Sequence, residues 1–158
     1  MDIELFFNEI RTGDLGRLKT LLQKDRKLLE SRDQRGSTPL VLAAYYNHLG
    51  MVDYLLAEGA GVDHKDGSGN TALMGACFKG YTEMAERLII AGANVNAPNA
   101  MGGSCLIFAV TFNKKKMVEL LISHGADVTF RDARGNTALD HANMQGFKEL
   151  ILLLENHT

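Results

Sequence analysis

The sequence predicts an all-α solenoid of stacked helix-turn-helix units with hairpin-like finger loops, and three observations predict it. A step of 33 residues links Gly36, Gly69, Gly102 and Gly135, and the same step links Leu40, Leu73, Leu106 and Leu139. The pentapeptide Gly-Asn-Thr-Ala-Leu therefore stands at 69–73 and again at 135–139, two periods apart. Each period also carries a Ser or Thr ahead of an apolar stretch and, in the first three, a Gly-Ala pair after the next one: Gly59-Ala60, Gly92-Ala93 and Gly125-Ala126. A period of this length marks units that cannot bury their apolar faces alone and share a continuous core by stacking.

Residues 1–32 read as an N-terminal capping unit, with Ile3, Phe6, Phe7 and Ile10 on one helix and Leu15, Leu18, Leu21 and Leu22 on the next. Full units follow at 33–65, 66–98 and 99–131, and 132–158 forms a shortened C-terminal cap, giving one domain of five helix pairs over 1–158. Thr38, Thr71, Ser104 and Thr137 start the first helix of each unit, where a hydroxyl accepts from an unpaired first-turn amide. Pro39 suits the first helical position, since its φ is fixed and its missing N–H would be unpaired there anyway. Alanines 43, 76, 109 and 142 give that helix a face for close approach. Asn47, Gly80, Asn113 and Gly146 tolerate the left-handed conformation that ends it. The second helix carries a 3.6-residue apolar face such as Met51, Val52, Leu55 and Leu56, or Met117, Val118, Leu121 and Ile122. The remaining turn-forming segment, with its glycines and one isolated Val, projects as a finger.

Composition narrows the function. Of the 158 residues, 46% are apolar and 23% charged, which argues for an ordered chain. Seventeen basic residues against nineteen acidic ones leave a net charge of −2, so no overall field draws the protein to nucleic acid or to an anionic membrane. Cys77 and Cys105 are too few for a disulfide framework and lack zinc-site spacing, so they read as small buried side chains. The opening residues are acidic where a signal peptide needs positive charge, and no apolar run is long enough to span a bilayer. A soluble, cytoplasmic protein is expected.

At Thr38-Pro39-Leu40-Val41-Leu42-Ala43 the sequence resembles the ankyrin repeat family, whose period and T-P-L-H-x-A pattern it shares over 33–158. The segments Gly-Ala-Asn-Val-Asn at 92–96 and Gly-Ala-Asp-Val-Thr at 125–129 strengthen the resemblance. Val41, Met74, Ile107 and Asp140 stand where the family usually has His, so the histidine's bonds to neighbouring finger backbone are expected to be absent and finger rigidity to rest more on packing. Small stand-alone proteins of bacterial type share this size and cap layout, and some are associated with haem catalases. That resemblance implies an alternative role as an accessory to an enzyme.

No residues compose a catalytic, metal or cofactor site. His48, His64, His124, His141 and His157 are scattered, with no zinc-binding spacing and no Ser or Cys in triad order. The stretch Asp-Gly-Ser-Gly-Asn at 66–70 lacks the alternating carboxylates of a calcium loop and the Lys-Ser/Thr end of a phosphate loop. Lys114, Lys115 and Lys116 read as a solvated turn between helices.

In the ankyrin family the end of the first helix faces a concave groove beside the fingers. Tyr45-Tyr46, Phe78-Lys79, Thr111-Phe112 and Met144-Gln145 occupy those places, an aromatic stripe of the kind that anchors protein partners. Finger positions add Arg35, Lys65, Arg131 and Arg134, with Met101 at the third tip. The alternative for the aromatics is packing against the fingers. The resulting expectation is a non-enzymatic module that binds a protein partner, an acidic segment with apolar anchors, through Arg35, Tyr45, Tyr46, Lys65, Phe78, Lys79, Met101, Phe112, Arg131, Arg134 and Met144. No cofactor is expected. At the outward position of the second helices Asp53, Glu86 and Glu119 give way to Leu152, beside Leu153, which raises a self-associating scaffold or homodimer as a further alternative to a monomer.

Overall fold

The computed structural model describes residues 3–158, so the first two residues of the expected capping unit lie outside it. Five helix pairs follow one another: α1 (Ile3–Thr12) with α2 (Leu15–Lys24), α3 (Pro39–Tyr45) with α4 (Leu49–Ala57), and α5 (Ala72–Lys79) with α6 (Thr82–Ile90). After them come α7 (Cys105–Thr111) with α8 (Lys115–Ser123), and α9 (Ala138–Gln145) with α10 (Lys148–Glu155). A 3-10 turn over Arg26–Glu30, absent from the sequence reading, buries Leu28 and Leu29 against the cap. No strand occurs among the described residues.

The expected start signals work as their chemistry requires. Thr38, Thr71, Ser104 and Thr137 accept from the amides of Val41, Met74, Ile107 and Asp140 at 3.1–3.3 Å, each closing the first turn of an inner helix. Asn47 and Asn113 end α3 and α7 at φ 60° and 56°, the left-handed values that Asn tolerates better than other side chains. Inner helices α1, α3, α5, α7 and α9 pack each on the next, over fully buried Ala43, Ala76, Ala109 and Ala142. Outer helices close the core with Met51, Val52 and Leu55, and with their equivalents down to Leu150 and Leu154. Cys77 and Cys105 are free thiols inside it.

The fingers depart from expectation. Hydrogen bonds hold them where a greater share of packing is expected, because an Asp or Asn stands at every finger's base on the same 33-residue step. Asp33 accepts from the amides of Arg35 and Ser37, both at 2.9 Å, and Asp66, Asn99 and Asp132 repeat the pattern. These side chains make the finger turns by accepting from amides two and four residues on. Neighbouring fingers are tied by main-chain bonds from Gly67 to Arg35 (3.1 Å) and from Ala100 to Ser68 (3.3 Å), and by Asn99 Nδ2 donating to Asn70 Oδ1 (3.0 Å).

Candidate functional site

The ends of the inner helices bring the expected aromatics to one face, where they sort into two groups. Tyr45 and Tyr46 meet edge to face at 5.5 Å, and both are exposed. The Lys79 ammonium reaches back over the Tyr45 ring at 4.6 Å, and His48 stacks on Tyr46. In the next units Phe78 packs on Phe108 at 4.4 Å and touches Phe112 edge to face, so Phe78 is half-buried while Phe112 keeps half of its surface. Part of the stripe is therefore self-packing, and the exposed remainder is Tyr45, Tyr46, Phe112 and Met144. Met101 at the third finger tip is 79% exposed.

The basic residues divide likewise. Lys65 Nζ donates to the Pro98 carbonyl at 2.9 Å, tying one finger to the next. Arg131 donates to Gly135 O at 2.7 Å and lies 3.9 Å from Asp140. Both side chains serve the fingers. Arg35 and Arg134 take no such contact among the described residues and leave their charges at the first and last finger tips. Lys114 to Lys116 are also placed differently from the turn that was expected. Lys114 immediately precedes α8 without a side-chain capping bond, and the other two lie in its first turn, where Lys115 pairs with Glu149 at 3.3 Å and with Glu119 at 4.0 Å.

A cleft of about 750 Å³ opens where α1, the first finger and α3 meet. Ile3, Glu4, Phe7 and Arg11 form one wall, residues 32–35 and Asp66 with Ser68 the finger wall, and Leu42, Tyr45 and Tyr46 the floor. Arg32 bonds the Gly36 and Lys65 carbonyls, both at 2.6 Å, and Arg11 faces Asp33 at 3.6 Å, so these cations build the wall. Sequence reasoning missed Ile3, Arg11 and Arg32. The signal was that a capping helix beside α3 must extend the inner face by one unit.

The comparisons decide the family. The family model for ankyrin repeats (3 copies) matches residues 8–99 and 87–158. The chain belongs to the ankyrin repeat family. Similarity to a curated ankyrin-bearing relative is local: Protein fem-1 homolog C of Xenopus laevis is 50% identical over 54 residues, which cover 32% of this chain and 9% of that protein. The chain thus matches less than a tenth of that relative's length. Ankyrin repeats are in general protein–protein interaction modules, and the family is generally non-enzymatic. No helix among the described residues is long and apolar enough to cross a membrane.

Asp140 holds the histidine position and closes a capping box with Thr137, whose amide it accepts at 2.9 Å. The next residue, His141, brings Nε2 to 2.7 Å from Asp132 Oδ2 at the base of the last finger, with both side chains mostly buried. The Asn136 amide and then His141 hold the Asp132 carboxyl below its ordinary value. A folded-state value below the unfolded one contributes stability above the unfolded value of about 3.9, and that contribution is lost as pH falls through the folded one. Asp132→Asn keeps an acceptor for the turn amides, as Asn99 does in its finger, and removes the carboxylate from His141. It is expected to cost about 1.5–3 kcal/mol at pH 6, lowering Tm by roughly 3–10 °C. The gap from wild type should narrow in thermal scans taken down to pH 3; a gap constant with pH would refute the pairing.

At the far cap, Leu153 and Ile151 pack against the core, which leaves Leu152, 63% exposed, as the one large apolar side chain that α10 presents to solvent.

Proposed function

We propose that this protein is a non-enzymatic binding module that holds a segment of a protein partner in the groove between its inner helices and its fingers. The observation that supports it is the run of exposed Tyr45, Tyr46, Phe112 and Met144 along one face. Tyr and Phe give large contact area for little lost side-chain freedom, and a rigid hydrogen-bonded stack adds little ordering cost on binding. Arg35 and Arg134, with Lys79 between them, suit a segment that is acidic as well as apolar.

The test begins with tagged wild-type protein and a triple variant, Tyr46→Ala, Phe112→Ala and Met144→Ala, taken through lysate of the native host, with retained proteins identified by mass spectrometry. The three side chains are exposed, so the variant should keep its circular dichroism and Tm. Each hot-spot truncation is expected to weaken binding by about tenfold or more, and the variant to lose the partner. A partner retained equally by both proteins, or held more tightly after Arg35→Glu, would overturn this reading.

A further inference from the structure

The step that links Leu42, Phe108 and His141 lands, in the second unit, on Gly75. At the three equivalents a side chain covers the space between inner helix and finger. Leu42 lines the cleft beside the first finger, the Phe108 ring lies so close to Gly103 that a Cβ there would fall 2.5 Å from Cζ, and His141 bonds Asp132. Gly75 puts nothing there, and beyond its chain neighbours and the backbone of its own helix a Cβ built on it would meet no atom within 4 Å. It sits in the middle of α5, where glycine is less stable than alanine. Its φ is not positive, so neither backbone conformation nor close packing calls for a glycine. Periodicity thus predicts a large side chain, and at half-buried Gly75 the structure leaves that space open.

We infer that the gap at Gly75 receives an apolar side chain of the partner, and that an acidic residue of the same segment meets Lys79. This rests on the groove reading above and places its principal anchor. One turn along α5 stands Phe78, with Lys79 beside it, and the units on either side supply Leu42 with Tyr45 and Phe108 with Phe112, so the surroundings are apolar and aromatic. Charge selects the acid. Lys79 is exposed over Tyr45 and Arg35 stands at the neighbouring finger tip. The nearby carboxylates of Asp33 and Asp66 are engaged by turn amides, and Glu4 lies across the cleft on α1.

The gap and its occupant are tested separately. Gly75→Ala should raise Tm by about 2–4 °C, since it gains helix propensity and meets no neighbour; a fall would show that the space is not open and overturn the inference. Binding is then read by fluorescence anisotropy with short labelled acidic peptides that differ in one central residue, Ala, Leu or Phe. Wild type should prefer Leu or Phe over Ala by about tenfold or more, the worth of one buried apolar side chain. Gly75→Leu should abolish that preference, and Lys79→Glu should weaken all three. Equal preference in Gly75→Leu and wild type, or no binding of any peptide by wild type, overturns the inference. If Gly75→Leu keeps the preference while the triple groove variant loses it, only the anchor's place is wrong and the groove reading stands.

Discussion

Gly69→Ala is expected to cost about 3–5 kcal/mol and Gly135→Ala only about 1–2 kcal/mol, although the two glycines open identical pentapeptides. Both hold left-handed backbone, with φ of 79° and 83°, where a Cβ alone costs about 1–2 kcal/mol. The difference comes from what lies beyond. A Cβ at Gly69 would fall 2.6 Å from the amide nitrogen of Ala100, which donates to Ser68 and ties the second finger to the third. A Cβ at Gly135 would meet nothing within 4 Å, because no further finger stacks on the last. Relieving the clash means parting two fingers or straining their turns, about 1–3 kcal/mol by analogy with overpacking, with a hydrogen bond of about 1 kcal/mol at risk. Urea melts of the two variants check the ranking. Asn at each position separates the causes, since Asn tolerates the left-handed region but not the clash: Gly135→Asn should approach wild type and Gly69→Asn should not. Equal losses for the two alanine variants would refute the finger contact.

The sequence makes most of this fold legible because its signals are local. Thr38, Thr71, Ser104 and Thr137 each act on an amide three residues away, and Asn47 and Asn113 reveal a backbone conformation by their own chemistry. The finger bases are equally local, since Asp33, Asp66, Asn99 and Asp132 share the period and each acts on amides two and four residues away. The 3-10 turn at Arg26–Glu30 is too short to leave a periodic pattern. Tyr45, Tyr46, Phe112 and Met144 are exposed at the ends of the inner helices, but residue type alone does not tell a cation left in solvent from one engaged by the fold. Lys65 and Arg131 share one position of the 33-residue step and Arg35 and Arg134 another; the Pro98 carbonyl comes within reach of Lys65 once the fingers stack, and the Gly135 carbonyl within reach of Arg131 once the last finger turns. Gly75 was legible in the period as a missing side chain, and only coordinates show that no neighbour fills the space.

Leu73→Ala should be the other severe substitution, costing about 2–5 kcal/mol, whereas Leu139→Ala, the same residue of the second pentapeptide, should cost less than about 2 kcal/mol. Leu73 is fully buried, on a helix packed between α3 and α7, so truncation leaves a cavity that inner helices on both sides must collapse to fill. Leu139 is only partly buried because α9 has an inner neighbour on one side alone, and water reaches whatever space its loss creates. In a stack where each unit contacts only its neighbours, stability is a sum of unit and interface contributions. Weakening α5 touches two inner interfaces and weakening α9 touches one. The expected signature goes beyond midpoint. Leu73→Ala should broaden the denaturant transition and lower its slope, as the two ends of the solenoid melt less together, while Leu139→Ala should shift the midpoint slightly at unchanged slope. Equal midpoints for the two variants would mean that the stack does not confer on a repeated residue the energy of its position.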